Sequence, residues 1–342
     1  MKKVGIISLV GGDSLIGREF SEIVSESRLP ATIKLIGIDE EAATLTEVDG
    51  EPSVMTPMDE ANLEGASLVV LAGAEANSRK ALAINARQEA APAVIDLTFA
   101  AEEEPNARLR APAVEPYGYT VPSGAVHVVA HPAAIALALF HSRLTTRYKL
   151  RRWTVHIFEP ASERGQQGLE ELRQQTVSLL SFHPLQKKVF DAQLSFNMLA
   201  RYGDEAPEAL ESIEVRIERH LATLLAGSGG GPIPSLRLIQ APVFHGYSFS
   251  VQAEFEEAPD TDSLAAAISS PEVDVRARDM EPPNNVGIAR QGGIAVGSIL
   301  QDRNNPNAFW FWVVADNLHL MAENAVAVAR VLLKASVSGA DK

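Results

Sequence analysis

The chain of 342 residues contains no cysteine. That absence removes disulfides, thiolate metal ligands and every mechanism that uses a thiol as nucleophile. Long apolar runs are missing too, since none approaches the roughly 18 residues that a membrane-spanning helix needs. Positive charge is scarce: 30 Lys and Arg stand against 44 Asp and Glu, a formal net charge of −14. This balance argues against nucleic acid and against anionic membrane surfaces as partners. Eight histidines are present, but none shows an HExxH-type spacing. His127 and His131 lie on a strand-to-turn segment rather than on one helix face, so no metal site is expected.

What is present is enough apolar material, 46% of residues, to fill the cores of two domains. Met1-Lys2-Lys3-Val4 enters a strand pattern at once, which leaves the expectation of a cytoplasmic protein without a signal peptide. Residues 3–10 form a continuous apolar run, as a central parallel strand would. Gly11-Gly12-Asp13-Ser14-Leu15-Ile16-Gly17 follows, then a helix over 18–25. Strand, glycine turn and helix is the context of a dinucleotide site, with Ser14 where the middle glycine would let a pyrophosphate approach. A second strand over 33–38 ends in Asp39-Glu40-Glu41. Asp39 stands where an acid would bond a ribose 2′-hydroxyl, so a bound nucleotide would be NAD rather than NADP. Strands over 67–71, 93–97 and 126–130 alternate with helices, which indicates an α/β fold with a Rossmann-type, doubly wound parallel sheet.

Val126–Ala130 runs into His131-Pro132-Ala133-Ala134 and a strongly apolar helical segment. Pro132 suits a first helical turn, and such a turn offers amides to a nucleophile or an anion. The residues at the turn, Ala133 and Ala134, have no chemistry of their own. Beyond Phe140 the pattern changes. Strands are expected over 151–158, 237–243, 247–255, 286–300 and 309–314, and helices over 165–180, 207–225 and 318–334. The segment 190–199 reads as irregular and apolar, and the glycine run 227–231 as a flexible loop. The second half is thus an α+β domain with a mostly antiparallel sheet, and the last helix is expected to return to the first domain.

Several segments taken together resemble the aspartate-semialdehyde dehydrogenase family. They are Gly11-x-x-Ser14-x-x-Gly17, Ala72-Gly73 with Ser78, Val94-Ile95-Asp96, Gln193-Leu194-Ser195-Phe196-Asn197, Ala241-Pro242-Val243-Phe244-His245-Gly246-Tyr247-Ser248 and Trp312-Val313-Val314-Ala315-Asp316-Asn317-Leu318. The similarity is to the cysteine-lacking, Usg-type homologues of that family. It implies a nucleotide-binding domain of residues 1–132 with 316–342, a dimerisation and substrate domain of residues 133–315, and a homodimer. Nucleotide contacts would come from Gly11, Ser14, Leu15, Ile16, Gly17, Asp39, Ala72, Gly73 and Asn317. The family chemistry it implies is NADPH-dependent reductive dephosphorylation of an acyl phosphate through a thioacyl intermediate on a cysteine. A histidine serves as acid and base, a glutamine orients the substrate, and basic residues clamp it.

Carried over position by position, the cysteine falls on Ala134, the histidine on Tyr247, the glutamine on Glu159 and a substrate arginine on Gln240. A further arginine falls on Glu102 and a helix lysine near Glu214. The loop after the glutamine reads Ser162-Glu163-Arg164-Gly165. Nucleophile and acid/base are both replaced, and an anionic substrate would meet carboxylates at Glu102, Glu159 and Glu214. His245, two residues before Tyr247, is the one candidate substitute, provided that strand alternation continues through Gly246. Three readings follow: a non-catalytic homologue acting by binding, an accessory protein that pairs with an active dehydrogenase homologue, or an NAD-dependent oxidoreductase acting on a non-anionic substrate.

Overall fold

Short runs of Val, Ile and Leu, flanked by glycine turns and helices, set up the first sheet. The structure is a computed structural model that describes residues 5–37, 44–48, 51–116 and 118–339. It divides into two units, one of Met1–Pro112, Tyr117–Ala130 and Met321–Lys342, the other of Ala113–Pro116 and His131–Leu320. The first unit holds β1 (Gly5–Val10), α1 (Leu15–Glu26), β2 (Ala31–Ile36), β3 (Thr44–Val48), β4 (Glu51–Met55), α2 (Glu60–Leu63), β5 (Leu68–Leu71), α3 (Glu75–Asn85), β6 (Ala93–Asp96), β7 (Ala107–Arg110) and β8 (Val126–Val129). Its main sheet runs in the order β2-β1-β5-β6-β8-β7, and every pairing is parallel. Parallel strands need crossovers that cover both faces, hence the near-continuous burial of Ile7, Leu9, Val10, Val69, Val70, Leu71 and Ile95. Each such side chain contributes about 1.5–3 kcal/mol. The β3–β4 hairpin has no counterpart in the sequence reading, because its Thr- and Glu-bearing strands lack an apolar alternation. Asp39 lies outside the described residues.

The second unit contains α4 (Pro132–Thr145), β9 (Leu150–Glu159), a 3-10 turn (Ala161–Arg164), α5 (Gly165–Leu180), α6 (Leu210–Gly227), β10 (Ser235–Gln240), β11 (Tyr247–Phe255), α7 (Thr261–Ile268), β12 (Val273–Val275), β13 (Ile294–Gln301) and β14 (Ala308–Ala315), and it includes the start of α8 (Asn317–Gly339). Its sheet order is β10-β9-β11-β14-β13-β12. The three central pairings are antiparallel and the two outer ones parallel, so the sheet is mixed. α4 is buried on nearly every side, as a helix apolar all round must be, and it packs on α6, α7 and β9.

Two local expectations are corrected. Strand 286–300 begins only at Ile294. Before it, Asn284 Oδ1 accepts the N–H of Gly287 and Asp316 Oδ2 accepts that of Arg290, and these side-chain bonds displace strand pairing. The strand over 237–243 ends at Gln240. Among the described residues no helix is long and apolar enough to cross a membrane.

Candidate functional site

The ends of β9, β10 and β11 meet in the second unit and carry Glu159, Gln240 and Tyr247. Gln240 stands opposite Glu159 in the parallel β10–β9 register, and Tyr247 opens β11. All three side chains are fully buried. Tyr247 Oη lies 3.4 Å from Glu159 Oε2. Tyr202 Oη donates to Gln240 Oε1 at 2.5 Å and lies 3.4 Å from Glu159 Oε1. Gln240 Nε2 donates to the Glu159 carbonyl at 2.8 Å. Arg164, from the 3-10 turn, places Nη2 3.5 Å from Glu159 Oε1 and also binds Glu208. Glu208 in turn takes Arg216 at 2.9 Å. At the start of α8, Asn317 Nδ2 donates to Glu163 Oε1 at 2.7 Å, and Asn317 Oδ1 accepts the Gly246 N–H at 3.1 Å.

Tyr202 reaches this cluster from the irregular segment that follows α5. Buried Glu171 and Gln175 of α5 pin that segment through its main chain. Glu171 accepts the N–H groups of Val189 and Phe190, and Gln175 Oε1 accepts those of Leu194 and Ser195. Backbone without a ladder is thereby satisfied.

Ala134 is wholly buried in the first turn of α4. One amide of the helix N-terminus beside it is taken by the chain's own imidazole. Ala133 N donates to His131 Nδ1 at 3.3 Å, and His131 N donates to His220 Nδ1 at 3.0 Å. An accepting Nδ1 leaves the His131 proton on Nε2, 3.6 Å from Glu163 Oε2. In the seat that the sequence suggested for a nucleophile or an anion, the His131 imidazole already takes the Ala133 amide.

Burial dominates the electrostatics. It drives the Glu159 carboxyl up to about 8, against the Arg164 guanidinium, which alone would pull it down. Burial raises Glu163 as well. It pushes the Tyr247 phenol well above its usual range, and the charge of Glu159 adds to that rise. Burial also holds His131 well below the normal imidazole value. Burial thus favours the uncharged forms of the Tyr247 phenol, the His131 imidazole and the Glu159 carboxyl.

The glycine turn of the first unit is built differently. Gly11 has φ +77°, and a Cβ there would lie 2.3 Å from Gly73 Cα. The β1–α1 and β5–α3 turns therefore touch through main chain alone. Ser14 Oγ accepts the Gly17 N–H at 2.9 Å and donates to the Ala72 carbonyl at 2.6 Å. Its hydroxyl folds back into the protein and caps α1. The N–H groups of Leu15 and Ile16 make no hydrogen bond among the described residues, so they stand at the positive end of the helix dipole. These main-chain features fit a bound pyrophosphate.

Residues 142–320 match the semialdehyde dehydrogenase dimerisation domain. The chain belongs to the semialdehyde dehydrogenase family. A USG-1 protein homolog from Pseudomonas aeruginosa is 34% identical over 175 residues, a match that spans 51% of this chain and about half, 52%, of that relative. An aspartate-semialdehyde dehydrogenase from Prochlorococcus marinus is 24% identical over 338 residues, 96% of each chain. The solved structure of a probable aspartate-semialdehyde dehydrogenase from Pseudomonas aeruginosa superposes with a TM-score of 0.83 at 25% identity, covering 97% of this chain and 99% of that one. The α/β architecture with a Rossmann-type parallel sheet is that of the semialdehyde dehydrogenase family.

Of the positions carried over from the semialdehyde dehydrogenases, Glu159, Gln240 and Tyr247 come together, with Asn317 linked to them through Glu163. His245 does not join them. It is exposed and lies outside β11, because Gly246 at φ +81° turns the chain before Tyr247. Glu214 is engaged elsewhere, its carboxylate accepting the Leu238 N–H at 2.5 Å and facing Arg237 at 3.4 Å. Glu102 belongs to the first unit, where its charge bears on Asp96. The sequence alone gives Arg164 no role and does not mark Tyr202, His220 or Glu208. The one signal available was Glu163-Arg164 placed just beyond a carboxylate at a strand end.

Proposed function

We propose that this chain is a semialdehyde dehydrogenase-family protein without the phosphorylating dehydrogenase reaction, acting by binding or as an accessory subunit in the cytoplasm. The observation that carries this reading is the closed Glu159–Tyr202–Tyr247–Arg164 cluster in a chain with no cysteine. Without a thiol there is no thioacyl route. A phenol held far above its normal range cannot replace an imidazole as base. The expected result is no turnover above background when the protein is assayed with aspartate semialdehyde, phosphate and NAD or NADP. Measurable turnover overturns the reading. Ala134→Cys combined with Tyr247→His is expected to stay inactive, since Glu159 and Gln240 supply no positive clamp.

Homodimerisation would use the second face of the mixed sheet. In register across it stand His156, Ser250 and Trp312, and beside them Thr154, Gln252 and Trp310, all partly or largely exposed. Ser250→Arg should convert a dimer to a monomer in light scattering. A dimer that survives the change removes this face from consideration. An accessory role would instead show as co-purification with an active dehydrogenase homologue.

The Leu15 and Ile16 amides favour retained nucleotide binding, with NAD preferred over NADP through Asp39. Calorimetric titration with NAD, NADH, NADP and NADPH tests this. Micromolar binding of NAD or NADH would advance the alternative of an oxidoreductase with altered chemistry and a non-anionic substrate. Absence of binding by all four would leave a protein partner as the ligand.

A further inference from the structure

The glycine run that follows α6 does more than join it to β10. Gly229, Gly230 and Gly231 all have positive φ, at +105°, +81° and +150°, and the segment 228–231 is exposed. Beneath it lies His141 of α4, only 1% exposed. Gly231 crosses the ring so closely that a Cβ there would lie 2.5 Å from His141 Nε2, an approach open to glycine alone. A single layer of exposed main chain therefore separates a buried imidazole from water. A side chain holds this strap: Trp153 Nε1 donates to the Pro232 carbonyl at 2.7 Å. Among the described residues no main-chain-to-main-chain hydrogen bond involves Gly231, Pro232 or Ile233. The Trp153 ring also lies against His141, with centroids 5.5 Å apart and planes at 35°.

His141 Nδ1 and Nε2 are both buried with no hydrogen-bond partner among the described residues. Polar atoms left unmet in this way cost free energy, and a leucine, like those at 137 and 139 of the same helix, would fill the space without that cost. What a leucine lacks is a proton to gain. The titratable groups on the surrounding elements are engaged or turned outward. Arg143 of α4 pairs with Glu272 at 2.8 Å and Arg151 of β9 with Glu254 at 3.1 Å. On α6, His220 accepts the His131 N–H at 3.0 Å, while Glu218 and Arg219 are exposed. Arg152 and His156 alternate to the other face of β9, Asp262 of α7 is exposed, and the segment 228–234 has no ionisable side chain. Burial alone holds the His141 imidazole below its ordinary value.

We propose that the strap is an acid-operated latch: protonation of His141 drives the segment 229–232 off the ring, breaks the Trp153–Pro232 bond and admits water to the seam between α4, α6 and β9. The closed form holds the neutral imidazole, so it is complete at high pH and is lost as pH falls through the histidine range. With the open form titrating near the usual value of about 6.5, opening grows by up to about tenfold per pH unit below it, until the closed form titrates too. His141 stands about 15 Å along α4 from His131, and the latch works whether or not a nucleotide binds.

The experiment follows the Trp153 indole N–H of the full chain by NMR with isotope-labelled tryptophan. The chain has three tryptophans, and Trp153→Phe identifies the signal. Its exchange with solvent, normalised to N-acetyltryptophanamide at each pH, is expected to quicken about fivefold or more between roughly pH 7.5 and 5.5, with no matching change at Trp312. In His141→Phe, which keeps a ring under the strap but takes no proton, exchange should be independent of pH. Gly231→Ala puts a methyl against His141 Nε2 and should hold the strap open, so that Trp153 exchanges at the higher pH at least as fast as the parent does at the lower. Because Gly231 is exposed, this second variant keeps the test decisive if His141→Phe does not fold. Equal exchange at the two pH values, the parent's pH response in His141→Phe, or full protection of Trp153 in Gly231→Ala would each overturn the proposal.

Discussion

At the end of β1 the chain turns on Gly11, tucks the Ser14 hydroxyl inward and leaves the Leu15 and Ile16 amides without an internal partner. At the ends of β9, β10 and β11 it packs two phenols, a carboxyl, an amide and a guanidinium against one another until each has a partner. The first arrangement is made almost wholly of main chain, so most side-chain changes leave it standing. The second is made of side chains, and Glu159, Gln240, Tyr247 and Tyr202 form it as buried polar core. A turn built of main chain tolerates most side-chain changes, whereas a cluster built of side chains changes its chemistry with each substitution.

The comparison breaks most severely at Arg164. Arg164→Met leaves buried Glu159 and Glu163 without their guanidinium, and a loss of about 3–5 kcal/mol in urea unfolding is expected. Adding Glu159→Gln to that variant should change little at neutral pH, where the Glu159 carboxyl already holds its proton, and should recover stability only as pH rises toward and above 8. A loss from Arg164→Met below about 1 kcal/mol would mean that the cluster is not held by charge.

Next comes pH. The folded Glu159 titrates at about 8, above its unfolded value of 4.5. Stability tied to its proton is therefore complete below the unfolded value and is lost as pH rises toward and through 8. Between pH 6.5 and 8.5 the chain should lose on the order of 2 kcal/mol from this group, and Glu159→Gln should flatten that slope in denaturant midpoints. His131 acts in the opposite direction, since its depressed value removes stability as pH falls below about 6.5.

Smaller effects sharpen the backbone half of the comparison. Ser14→Ala loses the cap on Gly17 and the bond to Ala72 and should cost about 1–2 kcal/mol. If the amides of Leu15 and Ile16 do the binding, nucleotide affinity should change little. His245→Ala should stay within about 0.5 kcal/mol of the parent protein, because the side chain is exposed. A large effect there would mean that His245 takes part in the site after all.

Much of the architecture was legible in the chain. The alternation of short apolar strands with helices specified the parallel sheet, and the missing cysteine alone removed thiol chemistry. The ordered motifs from Gly11 to Leu318 pointed to the family. The apolar residues of 286–300 suggest one strand, but side-chain bonds from Asn284 and Asp316 hold the stretch before Ile294 out of the sheet. The β3–β4 hairpin had no apolar period to reveal it.

Only the tertiary structure decided that Glu159 and Tyr247 are enclosed, that His131 caps its own helix, that His245 is turned away and that Arg164 and Tyr202 complete the cluster. Composition and local period report which face of an element avoids water. Protonation and partnership depend on which distant strand ends and helix starts converge, and on how much water that convergence expels, and neither is written in any one stretch of the chain.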